Sequence, residues 1–171
     1  MDGNSINDLS PLSAMTTLTT LRADGNSIAA LGPLSGLPLE ILSLADNSIS
    51  DLTPLAGISS LDDLMLDLNA ISDLSPLSGL TGLSTRLSAY GNQIIDLTPL
   101  AGLTSLVYLR LNDNSITDLS PIANLTALNT LQVADNPVAD LSALSAMSGL
   151  RTLVACGAQI TDVSVWSCSS S

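Results

Sequence analysis

LVYLRLNDNSITDLSPIANLTA, residues 106–127, is one copy of a unit that fills the chain, and its reading decides the fold. Apolar side chains fall at Leu106, Leu109, Leu111, Ile116, Leu119, Ile122 and Leu125. Leu109 and Leu111 alternate with polar neighbours, so YLRLN reads as a short strand. After it the apolar spacing becomes three, which suits an irregular or 3₁₀ return path. Ser120-Pro121 marks the start of that turn: Ser is expected to cap free N–H groups, and Pro fits the first helical position, where no N–H is needed. The same Ser/Thr-Pro pair stands at Ser10-Pro11, Thr53-Pro54, Ser75-Pro76 and Thr98-Pro99. One copy therefore predicts a strand, a turn, a short helical segment and a return.

The core of the unit, NxIxDLxPL, begins at Asn4, Asn47, Asn69, Asn92 and Asn114, with looser copies at Asn26 and Asn136 and a decayed one at Ala158. A period of roughly 22 residues from end to end means a stacked array, because no single copy can bury its own leucines. An amide buried without partners would cost several kcal/mol. The seven Asn side chains are therefore expected to form a ladder, each bonding backbone groups of its own turn and the next. Asp8, Asp51, Asp73, Asp96, Asp118, Asp140 and Asp162 form a second row. Stacked like charges repel, so each is expected to take backbone N–H partners in the following turn. Hard cations want several oxygens at once. One Asp per turn supplies too few for calcium, so no metal is assigned to the row.

Composition narrows the function classes. The chain has 171 residues, 46% of them hydrophobic, yet contains no Phe, one Trp and two Tyr, so Leu and Ile must build the interior. Sixteen acids against four Arg, with no Lys and no His, give a net charge of −12. Such a surface repels phosphate backbones and anionic lipids, which argues against nucleic acid as a partner. No apolar run approaches the ~18–20 residues that span a bilayer, which argues against membrane insertion. Cys156 and Cys168 lack CxxC spacing and have no His to share a metal, so no zinc site is assigned. A disulfide closing the C-terminal end and two unpaired thiols both remain open for them. With no His, no nucleophile–base arrangement and no Gly-rich phosphate loop, the chain reads as a non-enzyme without cofactors; Asp62-Asp63 reads as a solvated pair at a strand entrance.

The pattern LxxLxLxxNxIxxLxxLxxLxx resembles the leucine-rich-repeat family, and DLTPLAGLTSL at residues 96–106 is similar to the 22-residue subclass of the bacterial internalins. The resemblance implies an α/β solenoid of about seven to eight repeats. It would be a right-handed horseshoe with a parallel β-sheet on the concave face and an irregular or 3₁₀ convex side. It further implies a protein-binding module, secreted or at the cell surface, that grips its partner with the sheet. A cytoplasmic regulatory subunit and a stalk segment with no ligand of its own are the alternative readings. The helical N-terminal cap and following immunoglobulin-like domain of internalins have no counterpart in this sequence.

Two slips interrupt the period. Asn26 to Asn47 is one residue short, at Leu37-Pro38-Leu39, and Asn69 to Asn92 is one residue long, within residues 83–87. Each is expected at a strand entrance, the second as a bulge near Arg86. Residues 1–166 read as one repeat domain with a degenerate last copy, in which Trp166 covers the end of the stack, and residues 167–171 as a disordered polar tail. Met1 falls on a strand Leu position, so the first copy starts halfway. An uncovered solenoid end exposes core leucines and a strand edge. The expectation is a piece of a longer protein, or self-association through that end.

The variable positions flanking the strand leucines make three columns across the sheet. Three of the four Arg and both Tyr fall in them, and these are residue types enriched in interface hot spots. Arg86, Tyr90, Tyr108 and Arg110 form the expected anchor cluster, with Asp63, Met65, Asp67, Asn112 and Gln132 around it as the protein-binding surface. A competing reading has Arg86 merely paired to Asp63 and the Tyr rings covering their strands.

Overall fold

The computed structural model describes residues 1–157. Seven three-residue strands follow one another: β1 Thr20–Arg22, β2 Ile41–Ser43, β3 Asp63–Met65, β4 Arg86–Ser88, β5 Tyr108–Arg110, β6 Thr130–Gln132 and β7 Thr152–Val154. They pair in chain order into one parallel sheet, with Leu21, Leu42, Leu64, Leu87, Leu109, Leu131 and Leu153 in one row. Between strands the chain returns through 3₁₀ turns such as Thr53–Leu55, Ser75–Leu77 and Thr98–Leu100. This is the leucine-rich-repeat solenoid expected, with the sheet on its concave face. Each repeat advances by about 5 Å, the spacing of hydrogen-bonded strands.

The repeat's apolar letters fill the space between sheet and turns. In the third copy Leu42, Leu44, Ile49, Leu52, Leu55, Ile58 and Leu61 are all 0–2% exposed. Leu and Ile suffice because the interior is a thin slab between two walls of a stack, closed by neighbouring copies rather than by large rings. Both Tyr residues lie outside it, half-buried on the sheet face. At the first copy Ile6, Leu12 and Leu18 pack only partly against the core, and the Met1 amino group donates to the Arg22 carbonyl (3.0 Å).

The Asn ladder forms, with its direction corrected. Asn69 Nδ2 donates to the Leu66 and Asp67 carbonyls of its own turn (both 3.1 Å) and to the Leu44 carbonyl of the preceding copy (2.9 Å). Its Oδ1 accepts from the Ile49 N–H, also of the preceding copy (2.9 Å). Asn47, Asn92, Asn114 and Asn136 repeat the arrangement. The ladder thus reaches backward, because each turn leaves its amides and carbonyls open towards the copy that follows. No buried side-chain N or O atom among the described residues lacks a partner.

The residue before each ladder Asn, and before Ala158 in the last copy, turns the chain through positive φ. Gly fills this place at Gly3, Gly25, Gly91 and Gly157, Asp at Asp46, Asp113 and Asp135, and Leu at Leu68, with φ 54°. A left-handed conformation costs a side-chain-bearing residue about 1–2 kcal/mol; Gly escapes it and Asp tolerates it better. Leu68 is the exception that carries the strain.

The helical turns are capped differently from the sequence expectation. The residue preceding each is Leu, with no side-chain cap, and Pro stands second in the turn rather than first. The cap is the row of Asp: Asp8, Asp51, Asp73, Asp96 and Asp118 each accept from the N–H two residues ahead at 2.8 Å, and Asp140 does so at 2.7 Å. At Asp118 and Asp140 the Ser hydroxyl donates as well (2.7 and 2.8 Å). Ser is therefore a donor to the cap, because its place inside the turn aims its hydroxyl back at the carboxylate.

Both slips sit at strand entrances. The missing residue brings Leu37 and Leu39 both into the core, the Leu39 N–H donating to the Leu37 carbonyl (2.9 Å). The extra residue near Arg86 splits a shared acceptor. Elsewhere one carbonyl takes two N–H groups of the next copy, as Val107 does for Asn129 and Thr130; here Ser84 accepts from Val107 and Thr85 from Tyr108. Ala158, Asp162, Trp166, Cys168 and the tail at 167–171 lie outside the described residues. Cys156 is disulfide-bonded, so the thiol reading gives way there.

Candidate protein-binding face

All nine residues singled out from the sequence lie on strands β3 to β6 or just beyond their ends. The register puts Asp63 beside Arg86, Arg86 beside Tyr108, and Ser88 beside Arg110. Three separate groups result.

The first is an ion pair. Arg86 Nε and Nη2 donate to Asp63 Oδ1 and Oδ2 at 2.8 and 2.7 Å, a two-pronged contact between neighbouring strands. Asp63 is 8% exposed, and its bond to the guanidinium raises the Arg86 pKa above the ordinary value. The "solvated pair" at Asp62-Asp63 is therefore corrected. The inserted residue also carries Ser84 and Thr85 onto Asp62, whose carboxylate accepts from both hydroxyls (2.5 and 2.7 Å) and both N–H groups (3.3 and 3.1 Å). Those bonds, the Ser84 and Thr85 hydroxyls foremost, hold the Asp62 pKa below the usual carboxylate range.

The second group crosses three strands. The Arg110 guanidinium lies over the Tyr90 ring, 4.5 Å from its centroid, and reaches Asp67 Oδ2 at 3.5 Å. Asp67 Oδ1 in turn accepts from the Ser88 hydroxyl (2.6 Å) and the Tyr90 N–H (2.7 Å). Tyr90 is thus held from both sides, by its own backbone and by the cation above its ring. The third group is apart: Asn112 donates to Gln132 (3.3 Å) and accepts from the Ala134 N–H (2.9 Å). Met65 sits between Ser43 and Ser88 in the register.

The competing reading of Arg86 is partly realised, since its fork is taken by Asp63. Yet Arg86 and Arg110 keep 36% and 34% of their side chains exposed. The face therefore presents two half-open guanidinium planes and two half-buried rings, of which Arg86, Arg110 and Tyr90 are held before any partner arrives. Holding them in advance lowers the entropy lost on binding. Leu68, 46% exposed at the strand-exit edge beside Tyr90, escaped the sequence reading. Its signal was available: it is the Leu where other copies carry Gly or Asp. Val107, next to Tyr108, and Ile95 are also exposed, at 44% and 63%. Among the described residues no helix is long and apolar enough to cross a membrane.

A family model described as leucine-rich repeats (2 copies) matches residues 85–124 and 104–146. Among solved structures, an internalin (inlF) of Listeria monocytogenes is 34% identical with a TM-score of 0.92, over 95% of this chain and 48% of that one. Internalin C2 of the same species is 43% identical with a TM-score of 0.88, over 91% of this chain and 69% of that one. A leucine-rich-repeat protein of Leptospira interrogans shares the fold at 24% identity, with a TM-score of 0.87, over 93% of this chain and 42% of that one. The chain thus spans about half the length of inlF. No curated protein matches it by sequence.

Proposed function

The chain belongs to the leucine-rich-repeat proteins of the bacterial internalin type, and on that premise we propose that it binds a protein partner through the concave face of strands β3 to β6. Leucine-rich-repeat proteins commonly mediate protein–protein interaction and are typically non-catalytic. The observation that carries the siting is the Arg110–Tyr90–Asp67 group beside Asp63–Arg86: the Tyr and Arg of an otherwise Arg-poor, aromatic-poor chain converge on adjacent strands, half-exposed and pre-positioned. Tyr and Arg in rigid settings are the side chains that dominate binding energy at interfaces. Secretion or display at the cell surface is part of the proposal and is supported by the internalin likeness. The test is capture of surface proteins by the wild-type chain and by a Tyr90→Ala/Tyr108→Ala variant with an unchanged melting curve. A partner held by the wild type and lost by the variant is expected. Equal capture by both removes the concave face as the site.

A further inference from the structure

At the C-terminal ends of the strands, successive turns present Asp46, Leu68, Gly91, Asp113 and Asp135, all at positive φ. Leu68 is the only one of these five with an apolar side chain, and it is 46% exposed. Its N–H donates to the Tyr90 carbonyl (2.6 Å), which fixes it against the aromatic end of the face described above. Its side chain lies over Gly91, where an added Cβ would meet Leu68 Cδ2 at 2.7 Å. The copy thus accepts backbone strain in its turn around an apolar group that remains half in water. Glycine at residue 68 would relieve the strain, so stability alone does not account for the side chain. Backbone strain kept at a surface is a pointer to function.

The charges around it indicate what docks. Asp46 stands one repeat before Leu68, and Asp113 and Asp135 stand one and two repeats after Gly91; all three are exposed, and no cation pairs with them among the described residues. Two of the four Arg are held by Asp63 and Asp67, in a chain of net charge −12. An apolar centre with a polar rim is the anatomy of a docking patch; along the strand-exit edge that rim is Asp46, Asp113 and Asp135, all acidic, while Arg110 lies over the Tyr90 ring with its charge engaged by Asp67. The geometry points to a basic polypeptide segment as the occupant: an apolar side chain seated on Leu68 and Tyr90, flanked on both sides by Lys or Arg facing Asp46 and Asp113. This rests on the reading of the concave face as protein-binding and gives that partner its chemistry.

Three fluorescent synthetic peptides test it by anisotropy: an apolar residue between Lys/Arg flanks, the same residue between Glu flanks, and Ser between Lys/Arg flanks. The first is expected to bind the wild-type chain, more weakly with added salt, and the other two to bind less. Leu68→Gly is expected to weaken the first peptide about five- to tenfold while melting at or above the wild-type temperature, which separates lost contact from lost fold. Failure of all three peptides to bind, or preference for the Glu-flanked one, overturns the basic-segment assignment. Unchanged affinity in Leu68→Gly together with a loss in Tyr90→Ala overturns the role of Leu68 and leaves the concave face standing. A loss in Leu68→Gly with none in Tyr90→Ala or Tyr108→Ala supports the basic-segment site at Leu68, removes Tyr90 from its seat and overturns the concave-face reading.

Discussion

Replacing Asn69 by Ala should be among the most damaging single changes to this chain, and the structure says by how much and where. The amide donates two hydrogens, shared among the Leu44, Leu66 and Asp67 carbonyls, and accepts one from Ile49. Three bonds at about 1 kcal/mol net each give about 3 kcal/mol. Ile49 is 0% exposed, so its stranded N–H finds no water and adds about 1–2 kcal/mol. The total is about 4–5 kcal/mol, enough to lower a urea midpoint by about 2 M. Asn4→Ala is the control: Asn4 is exposed and donates only to the Met1 and Asp2 carbonyls, which water can satisfy, so its loss should stay below about 1 kcal/mol. Amide hydrogen exchange gives the sharper readout. Ile49 should lose protection in Asn69→Ala, whereas Ile71, served by Asn92, should keep it. A destabilisation under about 1 kcal/mol, or loss of protection in the copy after Asn69 instead of the one before, refutes the backward-reaching ladder.

Asp62→Ala removes the acceptor of four bonds around the inserted residue and should destabilise by about 1–3 kcal/mol in a thermal or urea melt; an unchanged melt would show that the insertion holds itself. Gly91→Ala meets both a φ of +66° and Leu68 Cδ2, so it should cost about 1–2 kcal/mol, and less in a Leu68→Gly background; strictly additive effects in that double-mutant cycle would rule out the contact. The Asp row makes stability fall in acid. The Ser120 N–H first, then its hydroxyl, hold Asp118 below the usual carboxylate range, and Asp140 is lowered in the same way by Ser142; Asp8, Asp51, Asp73 and Asp96 are lowered by the hydroxyl of the residue two ahead first and its N–H second. Folded values lie below unfolded ones, so this contribution is complete above about pH 4 and is lost as pH falls through the folded values. Carboxyl titration by NMR should find Asp118 below 3.8 and moving upward in Ser120→Ala; no movement would assign the shift to the backbone alone.

The fold was legible because a repeat states its own packing rule many times. Leu109 and Leu111, Ile116, Leu119 and Ile122 are spaced so that only a stacked copy can cover them. The Asn and Asp rows were readable for the same reason: a polar residue recurring at one place in such a unit must find backbone partners. The candidate site was legible as a set of columns, since strand register follows from the period, and the columns bring Asp63 to Arg86 as expected. The pairings inside it were not. Arg110 passes over Tyr90 to Asp67, two strands away, a reach set by rotamers. Asp62 looked solvated because its partners Ser84 and Thr85 lie 22 and 23 residues on, brought to it by the extra residue.

The sequence by itself determined the solenoid, its sheet, its register and the rows that hold its turns, because these depend on periodicity and on the bonding needs of the backbone. Only the tertiary structure decided that the ladder reaches backward, that Asp rather than Ser caps the turns of the copies that carry it, and that Leu68 stands strained and half-exposed beside Tyr90. Those outcomes turn on the direction of single bonds and dihedral angles between neighbouring copies, which residue spacing does not encode.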